Sequence, residues 1–401
     1  MDNQIALRTK AVRQSLGGDS QTSIARSLGK SRYWVSYWLE RYDPDDPVGS
    51  LQNRTSAPKH PHRKWSDDII RQAETSRRLR VAAQQPEYQY ALVGAEAIHY
   101  ELQHLQIEPT PPARTIHYWL KQAGLIKQPE PESGADRVSK PYPLPARGEI
   151  NDLHQLDLKG PFYLTGSSQK HYLLALRDYV SKGVALTAIE SREASNIAAF
   201  LVAAWQRRGL PKVLQMDNSL EFRGSNRYPR SFGQVVHVCL DVGVEPLFVP
   251  PREPWRNGLI ENFNGLTDRL LLERERLTDT DTLHVSVRRL EETVNTTHRL
   301  PALDGKTPDE FIAGHALHLL AAHYDGHKRD LSLVKGKVSF VRLVRKSGRI
   351  TLCADDKFDI DPALAWQYVV AQVDIATRQL HVYHEGQLVK TFDYTPQPPS
   401  A

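Results

Sequence analysis

The chain has 401 residues, 40% of them hydrophobic and 25% charged, an ordinary globular mixture that is too long for one core and suits roughly two to four domains. A formal net charge of +5 identifies no polyanion partner by itself, and two cysteines, Cys239 and Cys353, with no CxxC between them exclude a disulfide framework or a cysteine zinc site. The start MDNQIALRTK lacks an apolar leader and no stretch approaches a membrane span, so a soluble protein in a reducing cytoplasm, without a membrane partner, is expected.

The basic excess is local. Residues 1–80 carry fifteen Lys/Arg against nine Asp/Glu, which suits a basic DNA anchor joined to a near-neutral body. Within residues 1–50, Ser20 to Ser31 reads as helix, turn, helix. Ile24, Ala25 and Leu28 form one apolar face, Gly29 opens the turn, and Ser31 caps a helix from Arg32 to Tyr42. Val35, Trp38 and Leu39 point inward, leaving Arg32, Tyr33 and Ser36 to face out, as a major-groove reader requires. An ordinary αα-hairpin would show the same pattern.

Residues 51–65 form a proline-punctuated basic linker. Its Arg54, Lys59, Arg63 and Lys64 could track phosphates or enter a minor groove, or simply decorate a solvated tether. Residues 66–127 predict a second helical unit with helices near Gly94–Leu102 and Ala113–Gln122, on which Arg114 and His117 could again face DNA. Residues 128–148 are rich in proline, glycine and charge and predict an interdomain linker.

From residue 149 the pattern turns to strands: one around Asp157, then Tyr172–Arg177 and Val184–Ile189, a helix over Ala194–Arg208, and a buried strand Val213–Met216. A helix over Ser231–Asp241, a strand over Val244–Val249 and a long helix from about Asn257 to Arg276 complete a mixed sheet with helices on both faces, spanning 149–278. The polar run Arg223–Arg230 predicts a surface loop. Residues 279–328 predict a helical connector. Five short strands in 329–395 predict a small β-barrel.

Three acids stand out. Asp157 lies in a strand whose leucines point one way and the carboxylate the other. Asp217 follows an apolar strand, so it emerges at the sheet edge where open α/β sheets place their sites. Glu261 lies about 200° round its helix from Leu259, opposite an apolar stripe of Leu259, Phe263, Leu266 and Leu270 and on the side of Asn257, Asn264 and Asp268. Each acid alone suits a solvated surface. Together, from two strands and a helix, they suit a hard-oxygen site for two Mg²⁺ or Mn²⁺ ions.

The strings Leu156-Asp157, Met216-Asp217-Asn218 with Glu221-Phe222, and Asn257-Gly258 with Glu261-Asn262 resemble the catalytic core of bacterial insertion-sequence transposases and retroviral integrases. The weaker flanks, tandem helical units before the core and Lys306-Thr307-Pro308 after it, fit too. The chain departs from the family at Ser219, where glycine is usual, and in the 43 residues between Asp217 and Glu261, a longer spacing than the usual one. The resemblance implies an RNase H-like central α/β sheet between N-terminal all-α helix-turn-helix units and a C-terminal small β-barrel. It implies that Asp157, Asp217 and Glu261 are the metal-binding triad of a DNA transposase. Its partners would be double-stranded element ends and target DNA, and it would act as a homo-oligomer on DNA in the bacterial cytoplasm, associated with the nucleoid. Two other functions share these features. A catalytically inactive DNA-binding protein or repressor would use the same helical units. An RNase H-type nuclease would use the same acids, but needs no tandem DNA readers.

Overall fold

The computed structural model describes residues 3–53, 64–126, 141–227, 230–325, 335–353 and 356–397. Arg54, Lys59 and Arg63 of the basic linker, and residues 128–140 of the second linker, lie outside the described residues. The chain divides into two compact units, Met1–Ser66 and Asp67–Ala401.

The first unit holds helices α1 (Asn3–Leu16), α2 (Gln21–Leu28) and α3 (Arg32–Arg41). Serines start the last two: Ser20 accepts from the Ser23 amide and Ser31 from the Trp34 amide, each satisfying an orphan N–H of a first turn. Gly29 ends α2 at φ 63°, a left-handed conformation that a side chain would strain. Ala11, Ile24, Ala25 and Val35 fill the centre. Beside them the Arg8 guanidinium lies 3.8 Å from the Trp38 ring and donates to the Leu51 carbonyl at 2.7 Å. Arg32 and Tyr33 face solvent, whereas the Ser36 hydroxyl is spent on Glu40 of its own helix at 3.1 Å. Lys64 is exposed, 4.9 Å from the Trp65 ring.

The second unit opens with α4 (Asp67–Ala82), α5 (Ala95–His104) and α6 (Ala113–Gln122), packed on Ala73, Ile98, Leu102, Ile116 and Leu120. Arg114, His117 and Tyr118 are exposed on α6. These helices are stitched to the rest of the unit: Gln89 donates to Glu275 at 2.8 Å, Tyr90 donates to the same carboxylate, and His298 Nε2 meets the Tyr90 carbonyl at 2.8 Å.

The body is one mixed sheet. Strands β1 (Leu153–Tyr163), β2 (Lys170–Asp178) and β3 (Val184–Ile189) form an antiparallel meander. After α7 (Ala194–Arg208), β4 (Val213–Met216) lies parallel to β1. Then follow α8 (Leu220–Arg223), α9 (Gln234–Asp241) and β5 (Glu245–Phe248), which is parallel to β4. Helices α7 and α9 supply residues to the core on one face, which takes Leu156, Leu174 and Leu176 from the sheet. Helices α10 (Gly258–Thr267) and α11 (Thr280–Thr296) supply residues to the core on the other, over Leu173, Ala175 and Leu186. Past α11, the described residues hold the α-helix α12 (Pro308–Ile312), started by a capping box between Thr307 and Glu310, and short 3-10 turns at Pro301–Leu303 and Pro362–Leu364. The rest of the expected helical connector is irregular or lies outside the described residues.

Two expectations are corrected. The C-terminal strands do not form a separate barrel: β6 (Lys337–Leu343) pairs in parallel with β5, and β9 (Tyr368–Asp374), β10 (Gln379–His384) and β11 (Gln387–Asp393) extend the same sheet to nine strands. Only β7 (Arg349–Thr351) and β8 (Lys357–Asp359) stand apart as a pair. The reason is local. β5 would otherwise present an open edge, and β6 covers it while Phe340 stacks on Phe248 with ring centroids 5.0 Å apart.

The long helix is also broken. α10 ends at Thr267 and a π-helical turn, Asp268–Leu272, follows. Its buried stripe is Ile260, Phe263 and Thr267, one residue round from the stripe expected at Leu259 and Leu266.

The segment Arg223–Arg230 keeps the expected surface loop at Ser225, Asn226 and Arg227, which are exposed, and is anchored at its two ends. Arg223 is buried, and Gly224 packs so close to Gly233 that a Cβ there would sit 2.5 Å from the Gly233 nitrogen. Arg230 bonds Asp356 at 3.0 Å and lies 4.8 Å from the Tyr394 ring. Among the described residues, no helix is long and apolar enough to cross a membrane.

Candidate active site

A strand side chain recurs on the same face every second residue. On β1 that places Gln155, Asp157 and Lys159 in one row, and at the end of β4 it places Asp217 beyond Gln215. The parallel register pairs Gln155 with Gln215, so the two Gln-x-Asp strings run side by side. The Asp157 row faces α10. Ala175 is the cross-strand partner of Asp157, and its small side chain leaves the carboxylate room.

The two glutamines hold the start of α10. Gln155 Oε1 accepts from the Ile260 amide at 3.1 Å, while Gln215 Nε2 donates to the Arg256 carbonyl and to Asn257 Oδ1, both at 3.0 Å. Asn257, itself buried, donates back to the Leu156 carbonyl at 3.2 Å. The Ile260 amide is an orphan donor of the first turn, so the clamp satisfies the helix end and sets its rotation at once. It also explains why the buried stripe begins at Ile260. One turn on, the Asn264 amide donates to Asp157 Oδ2, and Lys159 bonds Asp268 at 2.6 Å. The Ser219 amide closes on Asp217 Oδ1 at 2.9 Å.

Burial pushes the Asp157 carboxyl up to about 6, and the negative charge of Asp217 and, more weakly, of Glu261 adds to the rise against hydrogen bonds from the Leu158 amide and Asn264. Burial raises the Glu261 carboxyl as well. Asp157 therefore lies in the field of both other acids. The three do not close into a ligand set, however. Among the described residues no three His, Cys, Asp or Glu side chains are gathered tightly enough to hold a metal ion. The donor chemistry still fits a hard divalent cation, because carboxylate oxygens are its preferred ligands and the crowded charge on Asp157 is what such an ion relieves.

His154, close in sequence, takes no part. It lies on the opposite face of β1, bonds Asn151 Oδ1 at 2.8 Å, and desolvation pushes it down to about 4, so it is a neutral core histidine. Sequence reasoning misses the glutamine clamp. A signal for it exists, in the repeated Gln-x-Asp of Gln155–Asp157 and Gln215–Asp217. The helix-turn-helix candidates Arg32, Tyr33 and Ser36 belong to the other compact unit.

No protein-family profile matches the chain. Among solved structures it is similar to the catalytic core domain of BIV integrase, with 19% identity, TM-score 0.31, and 40% of this chain and 92% of that one covered. It is similar to a chain of the simian T-cell lymphotropic virus intasome, with 15% identity, TM-score 0.38, and 69% and 88% covered. It is also similar to the HTLV-2 integrase catalytic core domain in complex with magnesium, with 18% identity, TM-score 0.31, and 40% and 95% covered.

Proposed function

We propose that the protein is a DNA transposase that cuts the ends of a mobile element and joins them to target DNA. The observation that carries this reading is the matched pair of strands, which sets Asp157 and Asp217 on one side of the sheet with the Glu261 helix clamped across them. The reaction is phosphoryl transfer: a water or a 3′-hydroxyl attacks the scissile phosphate and a 3′-oxygen departs, so no side-chain nucleophile is required. Asp157, Asp217 and Glu261 would hold two Mg²⁺ or Mn²⁺ ions, which when bound supply charge neutralisation and activation of the attacking oxygen. Asn264 orients the Asp157 carboxylate, and the Gln155–Gln215 clamp fixes the azimuth of Glu261. The exposed Arg32 and Tyr33 on α3, with Arg114 and His117 on α6, would contact the element ends. Strand transfer into a second duplex favours a homo-oligomer on DNA.

The test compares Asp157→Asn, Asp217→Asn and Glu261→Gln for joining of end-containing DNA in Mn²⁺. Each should lose joining by more than about a thousandfold while end binding stays within about twofold, because the amide keeps the shape and removes the charge that holds the cation. Wild-type joining by Glu261→Gln, or joining in the presence of a chelator, refutes the reading. One observation favours a second reading, a DNA-binding protein that does not cut: the three carboxylates stop short of a closed ligand set. In that case the wild-type chain binds ends and joins nothing at any Mn²⁺ concentration.

A further inference from the structure

Next to Asp217 lies a cleft of about 860 Å³ between the loop after β5 and the β6–β7 turn. Its lining is cationic: Arg223, Arg252, Arg342, Arg345 and Lys346 face a single carboxylate, Glu253. That carboxylate is already spent, accepting from Arg256 Nε at 3.0 Å and from the Tyr368 hydroxyl at 2.8 Å. Arg252, Arg345 and Lys346 are exposed and form no ion pair among the described residues.

Arg342 is the exceptional member. It is 3% exposed, and its donors all go to neutral acceptors: the carbonyls of Thr351, Val249, Val341 and Leu352, and Asn218 Oδ1 at 2.7 Å. Its N–H groups are satisfied but its charge is not, and a buried charge without a counter-ion projects its field into the nearest open space. That space is the cleft. Through Asn218 the same guanidinium touches the residue that follows Asp217.

On the rim stands Trp366, 54% exposed, with its backbone at φ 66°. A bulky residue rarely holds that conformation, and here the Trp366 amide is tied to the Val344 carbonyl at 2.8 Å. A flat aromatic face beside a cationic groove is the chemistry that binds unpaired nucleic acid: cations take the phosphates and the ring takes a base, which a duplex does not offer.

We infer that this cleft binds an unpaired stretch of DNA strand next to the scissile phosphate, with phosphates on Arg252, Arg345 and Lys346 and a base stacked on Trp366. The inference rests on the proposed reaction for its location, but its test needs no reaction.

The full chain, in a chelator, is titrated by fluorescence anisotropy with a forked duplex carrying one unpaired arm, and with a blunt duplex of the same paired sequence. Wild type should prefer the fork. The triple variant Arg252→Ala, Arg345→Ala, Lys346→Ala should bind the fork at least about tenfold more weakly and the blunt duplex within about twofold of wild type. Its salt dependence on the fork should be shallower, by about 0.7 in log–log slope for each phosphate the variant no longer neutralises. Trp366→Ala should lose about fivefold or more on the fork, and Trp366→Phe should recover most of it, because stacking needs a ring rather than tryptophan itself. Equal weakening on both DNAs overturns the proposal and makes the cleft a duplex-phosphate surface; unchanged fork binding in either variant also overturns it. Joining of end-containing DNA in Mn²⁺ separates the two readings. If the wild-type chain joins nothing while the cleft variants lose the fork, the transposase reading falls and the cleft stands; if wild type joins and Asp217→Asn does not while the cleft variants bind the fork normally, the reverse holds.

Discussion

The two acids on strands and the acid on the helix are held by different physics. Asp157 lies on β1 and Asp217 directly follows β4, its parallel neighbour, so each acid is two residues beyond the last ladder pair, Gln155 with Gln215. Glu261 has no such ladder. Its helix is fastened to those strands by side chains, Gln155, Gln215, Asn257 and Asn264. Sheet geometry tolerates the loss of one side-chain bond, whereas a helix held by four polar residues turns or slides when one is removed. The helix-held acid is therefore the soft point of the arrangement.

The widest test of that contrast is the double variant Gln155→Ala, Gln215→Ala, which leaves both strands intact and unfastens the helix. Joining should fall by about a hundredfold, chiefly in kcat and with end binding unchanged, since small displacements at a reacting centre are expensive. Gln215→Asn, too short to span both acceptors, should fall between wild type and the double variant. If the double variant joins DNA at the wild-type rate, the clamp does not position Glu261. Asn257→Ala comes next: it leaves the Gln215 amide with the Arg256 carbonyl alone, removes the side-chain donor to the Leu156 carbonyl, and should lower unfolding free energy by about 1–3 kcal/mol in urea denaturation. A drop below about 0.5 kcal/mol means that water takes over both bonds.

The strand-held pair should respond in the opposite sense. Removing charge from a buried carboxyl crowded by two others favours folding, so Asp157→Asn in a chelator should raise stability at pH 7 by about 1–2 kcal/mol while removing activity. A fall in melting temperature instead means that the Asn264 bond to the carboxylate outweighs the repulsion. The smallest effect is expected from Asp268→Asn. Its ion pair with Lys159 is partly exposed, and such pairs are worth about 0–1 kcal/mol. Joining within about threefold of wild type is expected, and a loss comparable to that of Glu261→Gln would promote Asp268 to the site itself.

Legibility in the sequence follows the range of the forces involved. β3, α7 and β4 fall where the apolar runs and their Gly or Pro boundaries put them, because burial on two faces writes itself into consecutive residues. The Gly29 turn and the Ser31 cap are equally readable, being decided within a few residues. The clamp is not, since Gln155 finds its partner 105 positions away and nothing in a glutamine announces that. The barrel expected at the C terminus fails for a related reason. Five short strands state their own alternation, but whether they close on themselves or add to an existing edge depends on β5, and the parallel match of Leu247 with Ser339 is invisible from either segment alone. The turn of α10 by one residue belongs here too, because the choice between Leu259 and Ile260 is made by side chains from β1 and β4.

The parallel pairing of β6 with β5 also has a consequence for how the chain is made. During synthesis, all the residues of the proposed site leave the ribosome before Lys337 does, and until then the backbone of Leu247 and Phe248 waits without its neighbour. A nascent chain at that stage carries its chemistry beside an open strand edge, the kind of surface that recruits the wrong partner. A fragment ending near residue 325 would present the same open edge beside the proposed site.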